Sequence, residues 1–161
     1  MPERPPPASP PAPRPQSFLS FDFGTRRVGV ACGNTLLRSS RALKTVAAAG
    51  DARFGAIGQL IEEWQPDALV VGVPFHPDGA PHDNTQRARR FARQLQGRFR
   101  LPVHEVDERY TTTEALAAGA ADPDAAAAAL ILDQFMRSLL NGELDHDPRQ
   151  DEQDDDAGTR R

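Results

Sequence analysis

The chain has little with which to cross-link or anchor itself. A single cysteine, Cys32, among 161 residues excludes an internal disulfide, so packing must hold the fold, and this usage fits a reducing cytosol. No apolar run approaches the roughly 18 residues that a membrane span needs, the longest being the stretch from Ala125 to Leu132. The N-terminal residues include Arg4 and Arg14 but no apolar segment behind them, only prolines, so they do not read as a secretory signal. These absences predict a cytoplasmic protein with no membrane contact. Cys32 itself lies in an apolar stretch and reads as a structural thiol rather than a nucleophile.

A net charge of −4 speaks against a nucleic-acid partner only until it is read by segment. From residue 141 onward eight acids face three arginines, while residues 17–140 are neutral. Seven bases fall between Arg87 and Arg109, enough for a locally positive face. Residues 1–16 hold 8 of the 15 prolines, and residues 141–161 have no aromatic side chain and a run of three aspartates. Both segments lack the apolar area to offset their own ordering entropy and are expected to be disordered, leaving one domain over 17–140.

Within that domain, apolar runs at 18–23 and 28–32 around Gly24-Thr25-Arg26-Arg27 read as two strands joined by a hairpin turn. A third strand is expected over 42–46. Phe54, Ile57, Leu60, Ile61 and Trp64 recur at helical spacing up to Pro66. The β-branched run 68–73 predicts a strand buried on both faces at the centre of the sheet. Asn84 or Thr85 can cap a helix to Gln96 with Phe91, Ala92 and Leu95 inward and Arg87, Arg89, Arg90 and Arg93 outward. A fifth strand is expected over 103–106 and a short helix near 113–118. The last helix, 124–140, should bury Leu130, Ile131, Phe135, Met136 and Leu139. The order βββαβαβαα predicts an α/β fold, a mixed five-stranded sheet with helices on both faces, which is the ribonuclease H-like layout.

Asp22 stands out because a carboxylate in the apolar strand Phe18-Leu-Ser-Phe-Asp-Phe is costly to bury unpaired. It can bond the following turn or hold a cation. Asp107 and Glu108 follow the fifth strand, and Asp124 opens the long helix, where it can be a first-turn cap or a ligand. Carboxyl ends of strands are where α/β sites form, so convergence of these groups is the expectation. Carboxylates from separate elements are what Mg²⁺ or Mn²⁺ needs for phosphodiester cleavage: hard oxygen ligands that leave positions open for water and phosphate. One ion activates the water, and a second about 4 Å away stabilises the leaving oxygen.

Four motifs occur in order: Asp22-Phe-Gly-Thr-Arg-Arg-Val-Gly-Val-Ala31, Val71-Gly-Val-Pro74, Asp107-Glu-Arg-Tyr-Thr-Thr112 and Asp124-Ala-Ala-Ala-Ala-Ala-Leu-Ile-Leu132. Together they closely resemble the YqgF/RuvX family over about residues 18–140. The resemblance implies a ribonuclease H-like nuclease, akin in fold to Holliday-junction resolvases and regarded as acting on pre-16S rRNA in ribosome biogenesis. It also implies one or two divalent ions, Mg²⁺ or Mn²⁺, held by Asp22, by Asp107 or Glu108, and by Asp124. Neighbouring residues at a strand end point in opposite directions, so one of the middle pair faces the metal, and Glu108 is favoured. Family members often carry a basic segment between the second and last acids, whereas residues 114–123 here contain no base. Substrate phosphates are therefore expected at the turn Gly24, Thr25, Arg26 and Arg27, at Arg109, and at Arg87 on its helix face. His76 and His82, in the loop after the fourth strand, are weaker candidates.

Three other readings have a basis in the residues. Branched DNA is an alternative substrate. Asp22-x-Gly-Thr also resembles the phosphate turn of actin- and sugar-kinase-like ATPases, although those resemble two such domains and this chain has the core of one. A silent nucleic-acid-binding module would use the fold alone, yet it would gain nothing from acids facing phosphate. The chain is expected to act on nucleic acid as a monomer or homodimer.

Overall fold

The structure, a computed structural model, describes residues 14–76, 78–81, 83–108 and 116–142. The apolar run after the N-terminal prolines forms β1 (Ser17–Phe23), which turns through residues 24–27 into β2 (Val28–Asn34) and then β3 (Ser39–Val46). There follow α1 (Gly50–Trp64), β4 (Ala68–Pro74), α2 (Thr85–Phe99), β5 (Val103–Glu108) and α3 (Pro123–Leu140). The sheet order is β3-β2-β1-β4-β5, antiparallel across β3, β2 and β1 and parallel from β1 through β4 to β5. The mixed five-stranded sheet is the expected one, but its middle strand is β1. β4, buried on both faces as expected, lies between β1 and β5.

Alternation along the strands sends their side chains to two different cores. Leu19, Phe21, Leu69, Val71 and Val103 meet Phe54 and Ile57 of α1 and Phe91 and Leu95 of α2 on one face. Phe18, Val70 and Val106 meet Ile131, Leu132 and Phe135 of α3 on the other. Helices thus cover both faces. Two hydroxyls fasten α3 to the sheet: Ser20 Oγ, fully buried, donates to the Ala128 carbonyl at 2.7 Å and Ser40 Oγ to that of Ala129 at 2.9 Å.

Several boundaries differ from those the sequence predicts. β3 starts at Ser39 rather than Ala42, because an edge strand with mostly exposed side chains shows no apolar alternation, and a register shift at Val30/Ala31 disturbs its period further. α2 runs on to Phe99 and stops where Arg100 turns left-handed at φ 55°. β5 extends through Asp107 and Glu108. In α3 the inward stripe includes Leu132, while Leu130 and Leu139 are only partly buried; Trp64 at the end of α1 is 38% exposed. Asn84 occupies the N-cap position of α2 without capping through its side chain, and the first turn is held instead by the Thr85 hydroxyl on the Pro74 carbonyl. Gln16 joins the domain: its carbonyl accepts from Thr35 N at 2.9 Å and its N–H donates to Thr35 Oγ1 at 3.0 Å. The short helix expected near 113–118 lies largely outside the described residues. None of the described helices is long and apolar enough to cross a membrane.

Candidate active site

The row of residues crossing the sheet at Asp22 explains how the acids come to neighbour one another. Asp22 pairs with Gly29 of β2 on one side and with Gly72 of β4 on the other. Strand parity puts all three on the face covered by α3, the side to which Phe18, Ser20 and Val70 point. Both neighbours lack a side chain, and each space is used. A Cβ on Gly29 would fall 1.8 Å from the carbonyl oxygen of Asp124, so the first turn of α3 can lie on the sheet beside Asp22 only over a glycine. A Cβ on Gly72 would fall 3.1 Å from the Glu108 carboxylate and 2.6 Å from the tip of Ile131, so Glu108 folds back across Gly72 toward Asp22. Asp124 and Glu108 therefore flank Asp22 from opposite sides, all at the carboxyl end of the parallel strands.

The helix cap and the strand parity sort the remaining acids. Asp122, not Asp124, caps α3: its Oδ1 accepts from Ala125 N at 3.2 Å and from the Thr45 hydroxyl, with Pro123 at the first helical position. Asp124 is thereby relieved of the capping role open to it from sequence, and its side chain is 31% exposed. Asp107 and Glu108 both lie within β5 and so face opposite ways. Glu108 shares the parity of Val106, which packs under α3, whereas Asp107 shares that of Val103 and Glu105, on the side of α2. The backbone keeps Glu108 at the strand end, its carbonyl accepting from Phe75 N at 3.3 Å.

Asp22 and Glu108 are half-buried. The donor set is all carboxylate oxygen, the chemistry suited to Mg²⁺ or Mn²⁺ and unsuited to soft metals. Among the described residues no three His, Cys, Asp or Glu side chains are drawn together into one ion-sized cluster. Arg27 stands beside this group, its Nε 3.3 Å from Asp124 Oδ2.

The turn carrying Arg27 is held from beneath. Gly24 is required in it, since a Cβ there would lie 2.5 Å from the Arg27 carbonyl. Arg53 of α1, only 6% exposed, donates from Nη2 to the Thr25 carbonyl at 2.8 Å and from Nε to that of Ala48 at 2.9 Å, with its guanidinium 5.6 Å from the Phe23 ring centre. Burial lowers its pKa from the usual arginine value. Sequence reasoning passed Arg53 over, although it shares the helical stripe of Ile57 and Leu60, where a charged residue signals a buried partner. Thr25, Arg26 and Arg27 are exposed.

The arginines of α2 are placed apart from the acids. Arg87 bonds Asn84 Oδ1 at 3.2 Å, and Arg89 reaches Glu105 at 3.9 Å while stacking over Phe75 at 5.2 Å, on the sheet face opposite Asp22 and Glu108. The loop carrying His76 is pinched by a bridge between Phe75 and Pro81, and the His76 backbone bonds Ala80 and Gly79. Arg109 and His82 lie outside the described residues.

Comparison with known proteins bears on the family and the fold. The profile of the family described as "RuvX: Holliday junction resolvase" matches residues 16–138. The chain is 68% identical over 124 residues to a protein of Albidiferax ferrireducens, covering 77% of this chain and 80% of that one. It is 54% identical over 136 residues to one of Paraburkholderia phytofirmans, covering 80% and 93%. Both relatives bear the name "Putative pre-16S rRNA nuclease". The structure is similar to that of T. thermophilus RuvC, solved in complex with a Holliday junction substrate, with a TM-score of 0.50 and 15% identity over 80% of this chain and 97% of that one. At that identity the likeness is one of fold, the ribonuclease H-like fold.

Proposed function

The chain belongs to the RuvX family, and from that premise we infer that it is a divalent-metal-dependent nuclease that hydrolyses phosphodiester bonds in pre-16S rRNA at its 5′ end, in the cytoplasm. The observation that carries this reading is the glycine-flanked row at Asp22, over which Asp124 and Glu108 approach from two other elements. Asp22, Glu108 and Asp124 would hold the ion. A bound Mg²⁺ or Mn²⁺ supplies an activated water and charge stabilisation at the leaving oxygen. The chain's own part is to fix the carboxylates on strand and helix ends rather than on loops, and to offer the exposed arginines of the 24–27 turn to substrate phosphates beside them. No side chain needs to become a covalent nucleophile. Asp107, on the other face, is not assigned to the metal.

The test is cleavage of labelled structured RNA and of a four-way DNA junction with Mg²⁺, Mn²⁺ or EDTA, by wild type and Asp22→Asn. Metal-dependent cutting of RNA that is lost in Asp22→Asn is the expected result. Preferential cutting of the junction would assign the chain to branched DNA, the second reading, which the fold shared with RuvC supports. Equal cutting by Asp22→Asn would overturn the site, and no cutting at all would leave a binding module.

A further inference from the structure

Arg27 stands in two relations at once. Its guanidinium lies 3.3 Å from the Asp124 carboxylate, and its side chain is 66% exposed, so it neutralises a proposed metal ligand while remaining open to solvent. Its backbone has little freedom: the turn is tight at Gly24 and tied through Thr25 to the buried Arg53. Asp124 is equally fixed, its helix turn seated on Gly29 and capped by Asp122. With both backbones held, the pair is broken by side-chain rotation, and a rotated Arg27 points from the same turn into solvent beside the three acids.

Resting on the metal-site reading above, we propose that Arg27 is the stand-in cation of the ion-free site and becomes a substrate-phosphate ligand only when a divalent ion takes Asp124 from it. Two positive charges compete for one carboxylate, so the ion displaces the guanidinium. The released guanidinium is a planar donor suited to a phosphate oxygen of the strand entering the site. Metal and nucleic acid therefore bind with positive coupling, each favouring the arrangement the other needs. This also gives a place for substrate recognition in a chain whose 114–123 segment has no base.

The experiment titrates Mn²⁺ into the full-length wild type, Arg27→Gln, Arg27→Lys and Asp22→Asn by calorimetry without nucleic acid, then measures binding of a fluorescein-labelled RNA hairpin with and without Ca²⁺ by anisotropy. Arg27→Gln should bind Mn²⁺ about two- to fivefold more tightly than wild type, the range set by loss of one exposed ion pair, and Arg27→Lys should stay near wild type because it keeps the competing charge. Ca²⁺ should strengthen hairpin binding by wild type and do so less for Arg27→Gln. Unchanged or weaker Mn²⁺ binding by Arg27→Gln, or an undiminished Ca²⁺ effect, would overturn the proposal while Asp22→Asn still loses Mn²⁺. Wild-type Mn²⁺ binding by Asp22→Asn would overturn the metal site and the proposal with it.

Discussion

The two faces of the sheet are built from different materials. Under α1 and α2 the packing is aromatic and thick: Phe21, Phe23 and Phe54 all contact Phe91, at ring separations of 5.1–6.0 Å. Under α3 the sheet offers Ser20, Gly29, Ala31, Gly33 and Gly72, and the helix answers with alanines at 125, 127 and 128. Large side chains on the first face maximise the apolar area removed from water. Small ones on the second let a helix end descend to backbone contact, and that descent brings Asp124 beside Asp22. One face is filled by large side chains and the other lets the acids of the proposed site approach, with Phe18 and Phe135 closing the second core away from them.

The largest effect that sharpens this contrast comes from the two neighbouring acids of β5. Glu108→Gln should cut metal-dependent cleavage by about a thousandfold or more, the scale of losing an ionic contact worth several kcal/mol at the reacting centre. Asp107→Asn, one residue away on the opposite face, should lower it by less than about tenfold. Both should melt near wild type by circular dichroism. Equal losses would mean that strand parity does not separate the two faces functionally.

Next in size is a paired change across the sheet. Phe91→Ala should cost about 3–5 kcal/mol in denaturant unfolding and leave cleavage per folded molecule close to wild type. Gly29→Ala should show the reverse balance, about 1–3 kcal/mol from overpacking but more than a tenfold loss of cleavage, because the Asp124 carbonyl must move away from a Cβ that would stand 1.8 Å from it. A Gly29→Ala protein with full activity would show that α3 need not touch β2 to complete the site.

That division also explains what the sequence discloses and what it hides. The acids were legible because carboxylates at strand and helix ends break an apolar pattern, and so were both core faces, through periods of 2 and 3.6. Of the edge strand β3 only the second half was legible, over 42–46, since the exposed positions of its first half carry no hydrophobic signal. Nor was the capping role of Asp122 over Asp124, two aspartates flanking one proline, because only the helix start decides between them. Alternation at the strand end favours Glu108 over Asp107 from sequence, but which face each takes needed the true end of β5, and the seating of α3 needed the knowledge that Gly29 and Gly72 flank Asp22, a cross-strand register that no local pattern encodes.

The smallest effect probes where the thick core thins out. Cys32 lies on β2 on the α1/α2 side but only partly buried, toward the edge strand and beside the exposed Arg41. Desolvation raises its thiol pKa, and the Arg41 charge offsets part of that rise. A thiol whose folded pKa lies above its unfolded one adds stability in full below the unfolded value, and loses it as pH rises through the folded value. Wild type should therefore lose slightly more of its denaturant midpoint than Cys32→Ser between pH 7 and pH 10. Iodoacetamide should alkylate Cys32 more slowly in the folded chain at pH 8 than in urea, since less thiolate is present. Alkylation as fast folded as unfolded would mean that the core under α1 and α2 ends along β2 before Cys32, and that the aromatic cluster around Phe91 holds this face without help from its edge.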